Sequence, residues 1–540
     1  MSIRIPTLIC CLLHILPAKA QHNFTLADTL RGSVTAERAW WNVLHYALTV
    51  EADFENKSIH GHNIITFEAS GVGDFMQIDL QEPMVIDSIF YESESVHFSR
   101  SKDVYLVPMK RMAQGDVGKL SVYFSGTPRE ARTPPWDGGW IWSRDSHGNP
   151  WMSVACQGLG ASVWYPCKDH QSDEPDHGAS LTIIATDSLT AAGNGNLMEK
   201  TALDNNRTAW KWEVKSPINS YNIVPYIGKY THWREAYQGV NGSLNLDFWV
   251  LENNLEIARP HFKQVHKMLD CFEEWFGPYP FYPDGYKLVE APHLGMEHQS
   301  AIAYGNKYRN GYLGRDLSQS GWGLGWDFII IHESGHEWFG NSITSKDIAD
   351  MWIHEGFTAY SETLYIQCVS GEEAGNDYVT GTRKLVKNDI PVIGLYGVNQ
   401  EGSGDMYYKA SNMIHTIRHV MDNDSLFKEM MRGLNKSFYH QTVTTGQVEA
   451  YMTTMAQKDL TKIFDQYLRT TQIPMLEYKR EASGFSYRWV NGVPGFNMPL
   501  RLAGGQWLKP TSTWQRSEID LGEDAFKVDR NFYVTSREVM

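Results

Sequence analysis

The spacing of apolar residues changes near Asn253, and this change divides the chain into regions of different secondary structure. Before it, apolar and polar residues alternate, as in residues 46–70, where a short polar turn separates two runs. Such alternation predicts half-buried antiparallel strands. After it, Phe262, Val265 and Leu269 recur at spacings of three and four residues, which predicts an amphipathic helix. The sequence therefore predicts a β-sandwich that is followed by a mostly helical domain.

Alternating residues return beyond Pro474 and continue towards Met540, over a length that suits a small β-unit. The chain is therefore predicted to be a multidomain α+β protein. Its expected parts are a leader at 1–20, an N-terminal antiparallel β-sandwich at 21–235, a mostly helical domain at 236–470 and a short C-terminal β-domain at 471–540.

Residues 1–20 have the layout of a secretory signal peptide. Arg4 precedes an apolar run that reaches Leu16, and Ala18 and Ala20 frame a site for cleavage after Ala20. No later stretch approaches the roughly 20 consecutive apolar residues of a membrane-spanning helix. We therefore predict a secreted or periplasmic protein without a membrane span.

The cysteines are too few for a disulfide-rich scaffold. Beyond residue 20 they are Cys156, Cys167, Cys271 and Cys368, which allow three pairing schemes. Cys156 and Cys167 are the best candidates for a disulfide, because they are close in a loop-rich segment. Two unpaired buried thiols are an equally weighted alternative.

The charge balance bears on the partners. The net charge is −15, from 48 Lys plus Arg against 63 Asp plus Glu. An acidic chain repels polyanions, so we expect no nucleic-acid partner. The oligomeric state stays open at this point.

The segment HESGHEWFGN contains two histidines that could bind one metal ion. His332 and His336 are four residues apart, so on a helix their imidazoles lie on one face. Glu333 follows the first histidine and could reach a water molecule at the metal. The alternative is a cluster of polar residues in the core that is satisfied without a metal.

A third candidate ligand is Glu355, which follows His336 after eighteen residues and lies in a second helical pattern. Two histidines and one carboxylate, with a fourth position open, are typical of catalytic zinc, whereas structural zinc usually has four ligands. We therefore predict one Zn²⁺ ion per chain. Such an ion lowers the pKa of water towards about 7, and Glu333 could accept the proton as the water attacks a peptide carbonyl.

The segments HESGHEWFGNSIT and DMWIHEGFTAYSE resemble the signature of the M1 (gluzincin) peptidases, the family of aminopeptidase N and leukotriene A4 hydrolase. The resemblance extends across most of the chain beyond residue 20. It implies that His332, His336 and Glu355 are the zinc ligands and that Glu333 is the general base. It also implies that the helical domain is a thermolysin-like catalytic domain.

The segment YYKASNMIHTI resembles the Tyr-x-Lys-Gly segment of this family, with Ala410 in place of the glycine. The resemblance implies that the Tyr407 hydroxyl stabilises the tetrahedral oxyanion, into which a neutral phenol can donate. Without the motif, ordinary packing of Tyr407 or its neighbour Tyr408 would be the simpler interpretation.

The segment APHLGMEHQS resembles the exopeptidase segment Gly-x-Met-Glu-Asn. The match places Glu297 where the family binds the free amino terminus of the substrate, with Gly295 and Met296 as neighbouring substrate-binding residues. A carboxylate at a fixed distance from zinc selects a cationic amine and measures off one residue. Leu294 and His298 depart from the pattern, at the first glycine and at the asparagine.

The segment CQGLGASVWYPCKD resembles the family segment that supplies a second contact to the amine. The match assigns this contact to Gln157, whereas Ser162 stands where an arginine is common. The alternative for Gln157 is a glutamine that satisfies the backbone of its own loop.

The leading hypothesis is a zinc aminopeptidase that acts on peptides with a free amino terminus. A zinc endopeptidase or dipeptidase on the same site is one alternative, and a catalytically silent peptide-binding module is another. Blocking the amine of the substrate should abolish turnover only for the aminopeptidase.

Overall fold

A computed structural model describes residues 23–481, 483–518 and 526–540. The predicted signal peptide, residues 1–20, lies outside these ranges. The described chain has a β-rich N-terminal region, a helical middle region and a small β-rich C-terminal region. This order confirms the predicted α+β fold class.

The N-terminal region begins with two short helices and continues with fifteen described strands. In chain order they are α1 (Leu26–Gly32), α2 (Ala36–Ala39), β1 (Trp41–Asp53), β2 (Ser58–Ala69), β3 (Phe75–Asp79), β4 (Val85–Tyr91), β5 (Glu94–Val96), β6 (Ser99–Ser101), β7 (Val104–Pro108), β8 (Val117–Gly126), β9 (Gly139–Arg144), β10 (Pro150–Ala155), β11 (Ala179–Thr186), β12 (Thr190–Ala192), β13 (Asn196–Leu203), β14 (Arg207–Val214) and β15 (Tyr226–Gly228).

These strands form three sheets around one apolar core. An eight-stranded sheet has the order β13-β14-β11-β1-β2-β8-β4-β5, and the smaller sheets are β12-β15-β10-β9 and β3-β7-β6. The predicted hairpin is present, because β1 and β2 pair antiparallel with Asp53 opposite Ser58. Among the described strands of this region, β1 and β11 are the pair that runs parallel, so the sandwich is not wholly antiparallel.

The middle region combines helices with a five-stranded sheet. Its elements are β16 (Tyr230–Gly239), β17 (Gly242–Leu251), α3 (Leu255–His261), α4 (Gln264–Phe276), β18 (Tyr286–Glu290), β19 (Gly295–Met296), β20 (Ile302–Tyr304), α5 (Phe328–Gly335), β21 (Ile343–Ser345), α6 (Trp352–Ser370), α7 (Glu372–Gly381), α8 (Tyr408–Met421), α9 (Asp424–Ser437), β22 (Gln441–Val443), α10 (Thr445–Ala456) and α11 (Thr461–Arg469).

The sheet β16-β17-β18-β20-β19 was not predicted from the sequence. Every residue of its central strand β18 is buried, so the apolar alternation that reveals a half-exposed strand is missing there. The boundary that we placed between residues 235 and 236 falls inside β16. Its pairing with β17 holds residues 230–239 in this sheet.

The described part of the C-terminal region contains six short strands. They are β23 (Met475–Arg480), β24 (Phe485–Val490), β25 (Leu500–Arg501), β26 (Trp507–Leu508), β27 (Gln515–Ser517) and β28 (Thr535–Glu538). Their sheets have the orders β27-β24-β23-β28 and β25-β26. Leu476, Phe485 and Phe532 share the core of the middle region, which anchors this unit to the helices. Within the described ranges, no helix combines the length and the apolarity that crossing a membrane requires.

Of the two alternatives for Cys156 and Cys167, the disulfide is wrong and the pair of unpaired buried thiols is confirmed. Both thiols are free and buried, and the bond instead joins Cys271 of α4 to Cys368 of α6, 97 residues further along the chain. Proximity in sequence misled the prediction, because packing of α4 against α6 brings distant cysteines together.

Opening this bond should destabilise the middle region. We expect Cys271→Ser to lower the free energy of unfolding by about 2–5 kcal/mol, because the unfolded chain regains the entropy of a long loop. Cys368→Ser should give a similar loss, since it opens the same bond. Denaturant unfolding measures both, and non-reducing peptide mapping that found Cys156 linked to Cys167 would contradict the assignment.

Candidate active site

The start of helix α5 is fixed by one buried carboxylate. Asp327 caps the helix by accepting hydrogen bonds from the backbone amides of Ile329 and Ile330. The same side chain accepts hydrogen bonds from the Tyr304 hydroxyl at 2.7 Å and from Asn306 Nδ2 at 2.9 Å. All residues of α5 are buried, so the position and rotation of the helix are determined by its surroundings.

Helices α5 and α6 bring three predicted metal ligands together. Glu355 Oε2 lies 3.6 Å from His332 Nε2 and 3.4 Å from His336 Nε2. One ligand atom from each of these residues lies within 4.8 Å of the others, and all three residues are buried. His336 directly follows α5 with helical backbone angles, so the four-residue spacing keeps both imidazoles on one face.

Hydrogen bonds on the far side of each imidazole orient the two rings. His332 Nδ1 lies 2.6 Å from Glu362 Oε1, and the Tyr378 hydroxyl donates to Glu362 Oε2 at 2.7 Å. His336 Nδ1 lies 3.0 Å from the carbonyl oxygen of Phe339. Protonation at Nδ1 satisfies these contacts and leaves both Nε2 lone pairs directed towards Glu355.

The three residues fit a zinc ion. Glu355 Oε2 is buried and has no hydrogen-bond partner among the described residues. An unpaired carboxylate oxygen in the interior costs several kcal/mol, and a divalent cation would remove that cost. Two imidazole nitrogens and one carboxylate oxygen are the donor set of catalytic zinc sites.

Glu355 and Glu333 are both buried in this site, but their pKa values shift in opposite directions. Burial alone would raise the pKa of Glu355, but the positive charge that His336 and His332 carry when they are protonated holds it well below the usual range. Burial raises the pKa of Glu333 to about 7, although the histidines oppose the shift. Glu355 therefore stays ionised as a ligand, and Glu333 is suited to exchange a proton near neutral pH.

Gly295 makes room for Glu333. A Cβ atom at Gly295 would lie 2.8 Å from Glu333 Oε1 and 2.7 Å from the side chain of Ile329. The missing side chain therefore allows strand β19 to pass directly over α5. The adjacent Met296 also lines the cleft.

Glu297 is held in the cleft by residues from both regions. Gln157 Nε2 donates to Glu297 Oε1 at 2.5 Å, and the Tyr221 hydroxyl donates to the same oxygen at 2.9 Å. Asn341 Nδ2 donates to the Glu297 carbonyl at 2.8 Å. The carboxylate also lies near the metal site, because its oxygen, one from Glu333 and a nitrogen of His336 lie within 4.8 Å of one another.

Tyr407 lies beside His332, directly before helix α8. Its ring stacks against that of His332, with centroids 6.0 Å apart, and it lines the cleft. Burial and then the charge of Glu355 raise the pKa of Tyr407 well above its usual value. The phenol therefore keeps its proton and can donate a hydrogen bond.

The two departures from the exopeptidase pattern have different placements. Leu294 lines the cleft. His298 is fully buried, and its Nδ1 atom lies 2.6 Å from the Tyr226 hydroxyl. Ser162, at the position of the family arginine, is also buried and donates its hydroxyl to Asp169. His298 and Ser162 thus lie behind the cleft and are not among the residues that line it.

The three predicted ligands line one cleft of about 870 Å³ between the N-terminal and middle regions, together with Gln157, Glu297 and Tyr407. Sequence reasoning missed Tyr221 and Tyr378, which hold Glu297 and Glu362, and it missed Glu401, which lines the cleft. None of the three stands within a matched motif. Arg129 is the one lysine or arginine among the described residues that line the cleft, so the cleft attracts cations.

Comparisons with known proteins agree with this geometry. Residues 42–222 match the model of the peptidase M1 N-terminal domain, and residues 261–467 match that of the peptidase family M1 domain. Leukotriene A-4 hydrolase of Xenopus laevis is 23% identical over 404 residues, which are 69% of this chain and 59% of the relative. Leucine aminopeptidase 2 of Saccharomyces cerevisiae is 22% identical over 437 residues, which are 75% of this chain and 57% of the relative.

Solved structures show the same fold. An M1 zinc metallopeptidase from Deinococcus radiodurans superposes with a TM-score of 0.68 at 19% sequence identity, covering 81% of this chain and 95% of that chain. The chain itself spans 59% of the length of the Xenopus hydrolase and 57% of the yeast aminopeptidase.

The geometry predicts that Glu362 controls metal affinity through His332. We expect about one zinc ion per chain, and Glu362→Gln should weaken zinc binding by about 10- to 100-fold, because His332 loses the carboxylate that orients it. Competition with a chelator of known affinity measures the change. The exposed Glu372→Gln is the matched control and should bind zinc like the wild type. Equal affinity in all three proteins would refute the role of Glu362.

Proposed function

The chain belongs to peptidase family M1, and from this premise we propose that it is a zinc-dependent aminopeptidase, which removes single residues from the free amino termini of peptides. The observation that carries the proposal is the position of the Glu297 carboxylate beside the metal site. Gln157 and Tyr221 fix it there.

Glu297 would bind the amino terminus of the substrate. A protonated amine pairs with a buried carboxylate far better than a neutral amide does. Because Glu297 lies so close to Glu333 and His336, an amine bound to it places the carbonyl of the first residue at the metal ligands. This spacing supports an exopeptidase over the alternative endopeptidase.

The chemistry divides between two further residues. A bound zinc ion supplies a Lewis acid, which lowers the pKa of water to about 7. Glu333 would accept a proton from the attacking water and then deliver it to the leaving amine. The Tyr407 hydroxyl would donate to the substrate oxygen as negative charge develops there. The presence of all these groups in one cleft argues against a silent peptide-binding module.

We also propose that the protein is secreted or periplasmic, with a signal peptide that is cleaved after Ala20. The disulfide between Cys271 and Cys368 supports this, because such bonds persist mainly in oxidising compartments.

Activity should require a free amine and the Glu297 carboxylate. We expect turnover of aminoacyl amides and none of their acetylated forms. Glu297→Ala should lower kcat/KM by at least about 30-fold, because a buried charge pair with the amine is lost. Glu297→Gln, which keeps the shape, should show a similar loss. Turnover of acetylated substrates by the wild type would instead favour the endopeptidase.

The Tyr407 hydroxyl should act on kcat. We expect Tyr407→Phe to reduce kcat by about 10²- to 10³-fold with zinc content unchanged, because only the donor to the developing oxyanion is removed. Tyr408→Phe removes a hydroxyl at the next position and should have a much smaller effect. Steady-state kinetics of the two variants decides the assignment, and a larger loss in Tyr408→Phe would transfer the role to Tyr408.

A further inference from the structure

Glu401 faces the cleft and has no role in the mechanism described above. Glu401 lies in the loop that follows the 3-10 turn Thr382–Leu385, and it lines the same cavity as Glu297 and Tyr407. No hydrogen bond or ion pair reaches its carboxylate from the described residues. Glu401 is partly exposed and its carboxylate faces the cleft, so a cationic group of a substrate that enters the cleft can replace water at this carboxylate.

Glu401 lies on the side of the cleft that binds the amino terminus. Its Oε1 atom would be 3.8 Å from a Cβ atom at Gly158, the residue that follows Gln157. Burial, and then the charges of Glu355 and Glu297, raise the pKa of Glu401 to about 7. The carboxylate thus lies beside the residue that follows Gln157, and Gln157 is the residue that holds Glu297.

The loop that carries Glu401 is fixed by its own contacts. Asn399 Nδ2 donates to the Gly158 carbonyl at 3.0 Å, which holds the loop against the N-terminal region. On the other side, the Ser403 amide donates to the Pro391 carbonyl at 3.0 Å. Gly402 packs so closely that a Cβ atom there would lie 1.8 Å from the Val392 carbonyl oxygen. The backbone that carries Glu401 is therefore held in position before any substrate arrives.

The charges of the cleft leave Glu401 available for a second cation of the substrate. Glu297 is matched by the terminal amine, and Glu355 is a metal ligand. The one lysine or arginine of the described lining, Arg129, belongs to a separate loop, where it donates to the Asp137 carbonyl at 3.1 Å. A substrate with a cationic first side chain would therefore supply the missing partner.

We infer that Glu401 selects peptides whose first residue is arginine or lysine, by pairing its carboxylate with the side-chain cation while Glu297 holds the terminal amine. This inference rests on the proposed aminopeptidase function and adds the class of its substrates. A carboxylate next to the amine site is within reach of the first side chain, because that side chain is attached to the carbon that carries the amine.

The test compares substrates that differ only in charge. Arginine and citrulline have nearly the same shape, as do lysine and norleucine, so each pair isolates the cation. For aminoacyl amides we expect the wild type to prefer arginine over citrulline by about 10- to 100-fold in kcat/KM. In Glu401→Gln this ratio should fall to about one to three. In Glu401→Lys the enzyme should favour a glutamate first residue over glutamine.

A ratio of two substrates separates specificity from damage to the fold, because a partly unfolded variant loses both activities equally. The exposed Glu372→Gln is the matched control and should keep the wild-type ratio. An arginine-to-citrulline ratio that is the same in Glu401→Gln and the wild type would overturn the inference. A uniform loss on all free-amine substrates would also overturn it, since Glu401 would then be a second ligand of the terminal amine.

A binding measurement keeps this inference separate from the proposed function. Calorimetry of zinc-loaded Glu333→Gln with arginine amide and citrulline amide needs no turnover. Tighter binding of arginine amide that disappears when Glu401→Gln is added would support the cation site even if no substrate were hydrolysed. If the wild type hydrolysed no substrate with a free amine, this would count against the proposed aminopeptidase function alone. Equal binding of the two amides would count against the role of Glu401 alone.

Discussion

The contact of the Glu355 carboxylate with two imidazoles is the interaction on which the rest of the site depends. It places an ionised carboxylate and two nitrogen donors in the interior, where unpaired polar atoms are costly. Two buried helices, α5 and α6, hold these groups rigidly. The cost is reduced on the outer side, where Glu362 and the Phe339 carbonyl bind the histidines. The inner side retains the unpaired Glu355 oxygen, so the fold prepares a site for a cation.

The N-terminal region takes part in the chemistry as well as covering the catalytic helices. Gln157 follows β10 and reaches Glu297, which belongs to the middle region. Asn222 donates to Asn341 at 2.7 Å, and Asn341 in turn donates to the Glu297 carbonyl. This chain of hydrogen bonds fixes the position of Glu297 relative to the three predicted metal ligands. A hinge between the two regions would make that position variable, and the enzyme would then no longer select the removal of a single residue.

The sequence predicted those parts of the molecule that depend on local spacing. His332 and His336 share a helical face because four residues separate them, and the hairpin of β1 and β2 follows from alternation around a polar turn. Parts that depend on distant packing were missed. The strand β18 is buried on both faces, the disulfide joins cysteines 97 residues apart, and Glu401 stands in a loop without a motif. Their environment exists only after the chain has folded.

Four glutamates share this cleft, and their partners assign each a different task. Glu355 lies between two histidines, which keep it ionised for a metal. Glu333 lies in the same interior without an ion-pair partner, so its pKa rises to about 7 and a proton can move on and off it. Glu297 is hydrogen-bonded by Gln157 and Tyr221, which fix its position for an amine. Glu401 stands in a loop whose backbone is fixed by its own contacts, and no side chain of the described residues pairs with its carboxylate. A glutamate that is fixed in place and still unpaired can add a charge requirement to substrate binding without disturbing the other three, and specificity can therefore change in this cleft independently of the catalytic chemistry.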